Sequence, residues 1–165
     1  KVLKFLVIDL GGVVGQIGKG LHGTAFAHDG AAVGPAICYE GLYGDFYGDF
    51  VRRGAQFMAI ISNDGWWGDT PGYKHLFSIS RLRAIEHRRA IARAANTGQS
   101  GFISATGQIG ETLGWEGTAE VPLHSETTFY TRYGDYLGRM AEYILLLSVL
   151  YFVAYRVKRR NHLVK

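Results

Sequence analysis

The stretch AICYE at residues 36–40 decides how the rest of the chain is interpreted, because it places a thiol where a strand ends. The preceding residues 30–37 are small and apolar and predict a buried strand. Cys38 is the only cysteine, so no disulfide forms within the chain. A thiol at such a turn can attack a substrate while backbone N–H groups stabilise the oxyanion. The alternative is that Cys38 is a small buried apolar residue.

The composition describes one globular domain with a basic tail. The 165 residues are 47% hydrophobic and 19% charged, which is enough chain to bury a core. The formal charge of +4 arises in the tail, where five of the 18 basic residues lie: Arg156, Lys158, Arg159, Arg160 and Lys165. The remainder is nearly neutral, which argues against nucleic-acid binding. The chain begins with neither a methionine nor a signal peptide, so we expect a fragment of a larger protein.

The first half of the sequence predicts a hairpin followed by a helix. Asp29-Gly30 is a strong turn signal between residues 24–27 and 31–37, which predicts two paired strands. The motif YGDF is repeated over residues 43–50, and a four-residue repeat stacks like residues on one helix face. We therefore interpret this repeat as a packed helix that ends near Gly54.

A continuous apolar run at residues 57–61 predicts a strand covered on both faces. It leads into a polar loop, residues 62–72, that carries Trp66 and Trp67. Aromatic rings in a loop either pack down over the domain or contact a ligand or a lipid interface. The sequence pattern alone leaves both roles open.

The middle of the chain predicts a long helix and then short strands. Residues 73–95 contain neither proline nor glycine and predict one helix, whose arginines fit either a solvated face or an internal ion-pair network. Residues 101–105, 109–113 and 118–121 predict strands. The order of elements is that of an α/β layered domain, in which catalytic groups such as Cys38 gather at the carboxyl ends of the strands.

The last segment differs from the rest because residues 143–155 carry no charge and are followed by the basic tail. Residues 137–157 are long enough to span the hydrocarbon layer, with the tail held in the cytoplasm. A buried helix of a soluble domain is the alternative. The membrane is favoured because a helix that is apolar on every face needs lipid or a very large core.

Three motifs together resemble the carbon–nitrogen hydrolase (nitrilase) superfamily. They are AICYE at 36–40, SNDGWWG at 62–68, and RAIE at 83–86 with RAANTG at 93–98. Within that superfamily they are most similar to the apolipoprotein N-acyltransferases of the bacterial inner membrane. The resemblance implies half of a four-layer α-β-β-α sandwich in residues 1–132, then a transmembrane helix at 137–157 and a basic cytoplasmic tail at 158–165.

The resemblance also implies a mechanism and a site. Cys38 matches the nucleophile, which takes an acyl chain from a phospholipid as a thioester and passes it to the N-terminal amine of a diacylglyceryl-cysteine lipoprotein. Tyr39 matches an oxyanion donor through its backbone N–H, and Glu40 matches a pocket carboxylate. The matching substrate loop carries Asn63, Asp64, Trp66 and Trp67. The implied partners are a phospholipid donor, a lipoprotein acceptor and the membrane, with the catalytic domain in the periplasm. No cofactor is implied, and the histidine spacing does not suggest a metal site.

The sequence departs from the family upstream of the thiol. The family has a general-base glutamate and a catalytic lysine before its cysteine, whereas here no glutamate precedes Glu40 and no lysine lies in a matching context. We therefore expect the chain alone to be inactive, and the exposed half-sandwich to be marginally stable or prone to aggregate. Two alternatives stay open: a soluble nitrilase-like amidase, and a degenerate domain that keeps the fold without catalysis.

Overall fold

A computed structural model describes residue 20 and residues 22–113 and 116–162, and they build one six-stranded mixed sheet in the order β1 to β6. The strands are β1 (Phe26–His28), β2 (Ala31–Ile37), β3 (Phe57–Ser62), β4 (Ile91–Ala95), β5 (Ser100–Ile103) and β6 (Ile109–Leu113). The helices are α1 (Gly44–Arg52), α2 (Gly72–His87), α3 (Phe129–Tyr133) and α4 (Tyr136–His162). Two short 3-10 helices, Cys38–Leu42 and Asp64–Trp67, follow β2 and β3. The first nineteen residues of the predicted domain lie outside this description.

The centre of the sheet is parallel and its edges are antiparallel. Strands β2, β3 and β4 run parallel, while β1, β5 and β6 each pair antiparallel with the strand beside them. The predicted hairpin at Asp29-Gly30 is confirmed, and both of its turn residues have positive φ (47° and 82°). That conformation matches the twist of the two strands and favours Asp-Gly.

One face of the sheet is covered by helices and the other is not. Strand residues such as Ala36, Met58 and Ile60 point toward α1 and α2 and form the buried core with Phe50 and Phe77. Within the described residues no helix or strand packs on the opposite face, which carries Ile37, Ile61 and Ala94 in exposed positions. Parallel strands are normally covered on both faces. The arrangement confirms the predicted half of an α-β-β-α sandwich.

The prediction of one helix over residues 73–95 is wrong. Helix α2 ends at His87, the next residue Arg88 has a left-handed φ of 51°, and residues 91–95 form β4 beside β3. Tertiary packing overrides helix propensity here, because Ile91 is fully buried in the core and Arg89 donates to the carbonyl of Ala55 at 2.7 Å. The strand predicted at 118–121 is also wrong, since that segment has no regular structure.

The YGDF repeat packs as a helix, as predicted. Phe46 and Phe50 lie one turn apart in α1 with their ring centroids at 5.4 Å. A Cβ atom at Gly48 would lie 2.8 Å from the imidazole of His87, so the glycine allows α1 to approach α2 closely. The repeat therefore serves packing between the two helices.

Helix α4 contacts the domain at its first turn and then extends away from it. Its segment Tyr136–Arg159 is long and apolar enough to cross a membrane, and no residue of that segment is buried. At about 1.5 Å per residue, 24 residues extend about 36 Å, which exceeds the ~30 Å hydrocarbon layer. The helical part of the predicted span is confirmed, and its position in a membrane stays a prediction.

Candidate functional site

Cys38 is the first residue after β2, at the carboxyl edge of the parallel strands. Its neighbours there are Ser62 at the end of β3 and Asn96 just after β4. The φ of Cys38 is +51°, an unfavourable conformation for a residue with a side chain. Such strained residues persist where the surrounding structure holds them, and they cluster at active sites. The predicted position of the thiol at this edge of the sheet is confirmed.

Glu40 closes the turn that carries the thiol. Its carboxylate accepts a hydrogen bond from the backbone N–H of Ile37 at 2.7 Å. This bond fixes the end of the strand against the segment Cys38–Leu42, which we call the thiol turn. Tyr39 lies between Cys38 and Glu40 in the sequence, and its side chain is 46% exposed. In this structure Glu40 therefore shapes the turn, and its predicted contact with substrate stays a prediction.

A chain of polar side chains runs from the thiol into the core. The Ser62 hydroxyl lies 3.8 Å from the Cys38 sulfur and 2.7 Å from Asp64 Oδ1. A hydroxyl has one proton, so Ser62 donates to one of these acceptors at a time. The carboxylate is closer and charged, which makes it the favoured acceptor in the resting site.

Asp64 is held by a buried ion pair. One terminal nitrogen of Arg93 donates to both carboxylate oxygens, at 2.9 and 3.0 Å, and both side chains are almost fully buried. Arg93 also donates to the carbonyl of Gln99, and its guanidinium lies 5.8 Å from the Phe77 ring centroid. A buried charge is tolerated only when it is paired in this way. Asp64, predicted on the substrate loop, lies beneath the site rather than on its surface.

The rest of the predicted substrate loop is exposed. The Asn63 side chain accepts hydrogen bonds from the backbone N–H of Gly65 at 3.1 Å and from Asn96 Nδ2 at 2.8 Å, which ties the ends of β3 and β4 together. Trp67 packs on Gly72, where a Cβ atom would lie 2.2 Å from the ring. Trp66 is 67% exposed. Trp67 therefore packs on the domain, while contact of Trp66 with a ligand or lipid stays a prediction.

Ser62 and Arg93 are members of the site that were not predicted from sequence. The sequence pattern predicts a long helix at Arg93, whereas its pairing with Asp64 joins residues 29 positions apart. The signal for Ser62 was its position directly after an apolar strand. Within the described residues no three His, Cys, Asp or Glu side chains form a group that could hold a metal ion.

An apolar depression of about 390 Å³ lies on the uncovered face of the sheet. It is lined by Ala59, Ile61, Ala94 and Phe102, with Asn96 at the end nearest the site. Cys38 is not among its lining residues. The depression is therefore a property of the uncovered face and not a pocket around the thiol.

Comparison with known proteins identifies the class of this chain. Residues 4–130 match the family model described as carbon-nitrogen hydrolase, and the chain belongs to that family. Curated relatives named apolipoprotein N-acyltransferase include one from Chlorobaculum tepidum, 44% identical over 126 residues, covering 71% of this chain and 24% of the relative. Another, from Geobacter metallireducens, is 30% identical over 167 residues and covers 98% of this chain and 31% of the relative. The chain thus spans about a quarter to a third of these relatives.

The fold is that of a solved member of the nitrilase group. A mutant of the amidase from Nesterenkonia sp. AN1, with acrylamide added at its active-site cysteine, matches with a TM-score of 0.52. The match covers 76% of this chain and 50% of the amidase at 16% identity. At that identity the likeness shows the fold alone. The fold class inferred from the sequence motifs is confirmed.

Proposed function

We propose that this chain is part of an N-acyltransferase that moves a phospholipid acyl chain through a Cys38 thioester to the N-terminal amine of a diacylglyceryl-cysteine lipoprotein. The observation that carries the proposal is that one chain combines a thiol on a strained turn with an apolar helix of membrane-spanning length. The names of the relatives from Chlorobaculum tepidum and Geobacter metallireducens support it. The proposed phospholipid and lipoprotein partners both require the membrane.

The proposed chemistry has two steps with balanced atoms. The Cys38 thiolate attacks the carbonyl carbon of the acyl ester, the carbon–oxygen bond breaks, and the lysophospholipid leaves as an alcohol after taking up a proton. The acceptor amine then attacks the thioester, its nitrogen gives up a proton, and the carbon–sulfur bond breaks to leave the amide and the regenerated thiolate. Cysteine suits this exchange because its thiolate is a strong nucleophile and the thioester remains reactive.

Other residues of the site have proposed roles around the sulfur. The backbone N–H of Tyr39 faces the developing oxyanion, and Glu40 holds the thiol turn in the strained conformation that presents the sulfur. Asn63 and Trp66 border the substrate, and Asp64 acts from beneath through Ser62. The general base and the lysine of the family have no match in this sequence, so we propose that the chain alone transfers no acyl group.

Orientation in the membrane follows from the basic tail. We propose that α4 crosses the bacterial inner membrane with the sheet domain in the periplasm and Arg156, Lys158 and Arg159 in the cytoplasm. Washing of membranes with alkaline carbonate tests this, because a spanning chain stays in the pellet. Release into the supernatant would favour the soluble amidase alternative.

A chimera tests the activity. Residues 22–132 replace the matching stretch of the Chlorobaculum tepidum relative, which supplies the remaining sequence of that protein. We expect acyl transfer from phospholipid to a lipopeptide amine, and a hydroxylamine-labile acyl group on Cys38 when the acceptor is omitted. The same chimera with Cys38→Ala is the control and should be inactive. Activity that survives Cys38→Ala would favour the degenerate domain, and hydrolysis of small amides without transfer would favour the amidase.

A further inference from the structure

The segment between the sheet domain and α4 is docked by buried hydrogen bonds. Thr131 of α3 is fully buried, and its hydroxyl lies 2.8 Å from His87 Nδ1 and 2.9 Å from the hydroxyl of Thr128. The Thr128 hydroxyl also donates to the carbonyl of Glu86 at 2.6 Å. Arg52 donates to the carbonyl of Thr131 at 2.8 Å. Residues from α1 and α2 therefore both hold α3 in place.

The imidazole in this contact is neutral at physiological pH. Burial, together with the positive charge of Arg83, lowers the pKa of His87 to about 3. Its ring packs between the rings of Tyr47 and Tyr130, with centroid distances of 5.3 and 5.4 Å. The docking of α3 is thus preserved through the neutral pH range.

The start of α4 lies beside the start of α1. The Asp45 carboxylate accepts a hydrogen bond from the backbone N–H of Asp135 at 3.2 Å, directly before α4 begins. Gly134 has a φ of +65°, and a Cβ atom there would lie 2.1 Å from the same carboxylate. Because α1 follows the thiol turn after one residue, the first turn of α4 and the thiol turn are held at the same end of the domain.

Three aromatic rings form a cluster at this junction. Phe129 contacts Tyr133 at a centroid distance of 4.5 Å and Tyr136 at 5.1 Å, and we call these three residues the aromatic foot. Phe129 is 62% exposed and Tyr133 50% exposed, so the rings pack on one another without filling the core. Tyr136 is also the first residue of the segment long enough to cross a membrane.

We propose that the aromatic foot lies in the headgroup layer where α4 enters the membrane and that, with the docked α3, it holds the thiol turn beside the bilayer surface. Amphipathic aromatic rings at the end of a spanning helix prefer that layer. Continuity with α4 selects lipid as the occupant, since the Tyr136 ring belongs to both features. The proposal rests on the proposed membrane crossing of α4 and adds a fixed orientation of the domain to it.

Depth measurements with nitroxide labels test this proposal separately from the crossing itself. The full chain with Cys38→Ala receives one label, at Tyr133→Cys, at Ser148→Cys in the middle of α4, or at Phe26→Cys. Phe26 is the matched control, because it is an aromatic residue of similar exposure (59%) on β1, which pairs with the start of β2 far from the thiol. Each sample is reconstituted in vesicles of phosphatidylethanolamine and phosphatidylglycerol. Collisions with oxygen, which concentrates in lipid, are compared with collisions with a water-soluble nickel complex.

We expect the ratio of oxygen to nickel collisions to be highest at position 148, intermediate at 133 and lowest at 26, with position 133 several-fold above position 26. A high ratio at 148 together with equal ratios at 133 and 26 would overturn the proposal while the membrane crossing stands. Low ratios at all three positions would overturn the crossing as well. An immobile label at 133 that neither reagent reaches would assign the foot to a protein contact, which also overturns the proposal.

Discussion

The two faces of the sheet differ in what packs against them. On the covered face the strands meet α1 and α2, and the buried side chains include both the apolar core and the Asp64–Arg93 ion pair that supports the site. On the uncovered face the same strands present apolar residues without a helix or strand of the described chain against them. Ile60 and Ile61 are adjacent in β3 and are 3% and 54% exposed. Stability and support of the thiol therefore come from one face, and the other face is available for association.

The largest effect on stability is expected at the buried ion pair. Arg93→Met leaves the Asp64 carboxylate buried without its partner and should lower the free energy of unfolding by about 3–5 kcal/mol. Urea unfolding in detergent, followed by near-ultraviolet circular dichroism, measures it. The double variant Arg93→Met with Asp64→Leu should recover most of the loss, because it removes both charges. Equal losses in the single and double variants would contradict an electrostatic cause.

The two adjacent isoleucines provide a direct test of the difference between the faces. Ile60→Ala should cost about 2–4 kcal/mol, because it leaves a cavity in the core. Ile61→Ala removes the same atoms from an exposed position and should cost less than about 1 kcal/mol. The same urea experiment compares them. Similar costs for both would mean that the uncovered face is packed in the folded chain.

Acid should lower the free energy of unfolding, because His87 on the covered side of the sheet becomes protonated. Its folded pKa of about 3 lies below the ordinary value of 6.5, so the unfolded chain binds a proton more readily. The stabilising contribution of neutral His87 is complete above pH 6.5 and is lost as the pH falls toward 3, by at most about 1.4 kcal/mol per pH unit.

We expect His87→Gln, which keeps a polar group near Thr131, to flatten the dependence of the urea midpoint on pH between 6.5 and 4. His28→Gln is the matched control, because the His28 side chain is exposed on β1. An equal flattening in both variants would show that His87 is not the group responsible.

Ser62 connects the covered face to the thiol, and its removal should have a smaller effect. Ser62→Ala removes a donor that can turn to the sulfur when the thiolate forms, so alkylation of Cys38 by iodoacetamide at neutral pH should slow by up to about tenfold. Ser78→Ala, in which an exposed hydroxyl of α2 is lost, is the control. An unchanged rate in Ser62→Ala would remove Ser62 from the site.

The smallest change in stability is expected for a charge on the uncovered face. Ile61→Lys should alter the free energy of unfolding by less than about 1 kcal/mol, yet it should reduce self-association measured by light scattering, because charged residues on exposed sheet surfaces oppose association. Arg81→Lys, which keeps the charge elsewhere on the surface, is the control. An unsubstituted chain that stays monomeric without aggregating would contradict the expected tendency to aggregate.

Turn signals and apolar runs in the sequence predict the elements whose structure depends on neighbouring residues alone. Asp29-Gly30 demands a tight turn, which the structure has, and the apolar run before Ser62 forms the predicted strand β3. The predicted cover on both faces of that strand is wrong for the described residues, because Ile61 is 54% exposed. The helix predicted over residues 88–95 is wrong, because IARAA has good helix propensity and becomes a strand only beside β3. The ion pair of Asp64 with Arg93 depends on that pairing and could not be predicted without it. Cys38 was found because it is unique and follows a strand, whereas Ser62 has no unusual spacing.

Gly134 affects where the chain can be cut between the sheet domain and α4. The predicted boundary between the sheet domain and the membrane span falls at residues 132–137, which would ordinarily be chosen as a linker. Here the backbone at Gly134 touches the Asp45 carboxylate so closely that even a methyl group lacks room. An alanine at this position would force the Asp45 carboxylate or the junction to shift. Cutting the chain beside it would separate α4 from the domain. A version made by cutting at this boundary would lose the proposed orientation of the thiol at the bilayer together with the proposed membrane anchor.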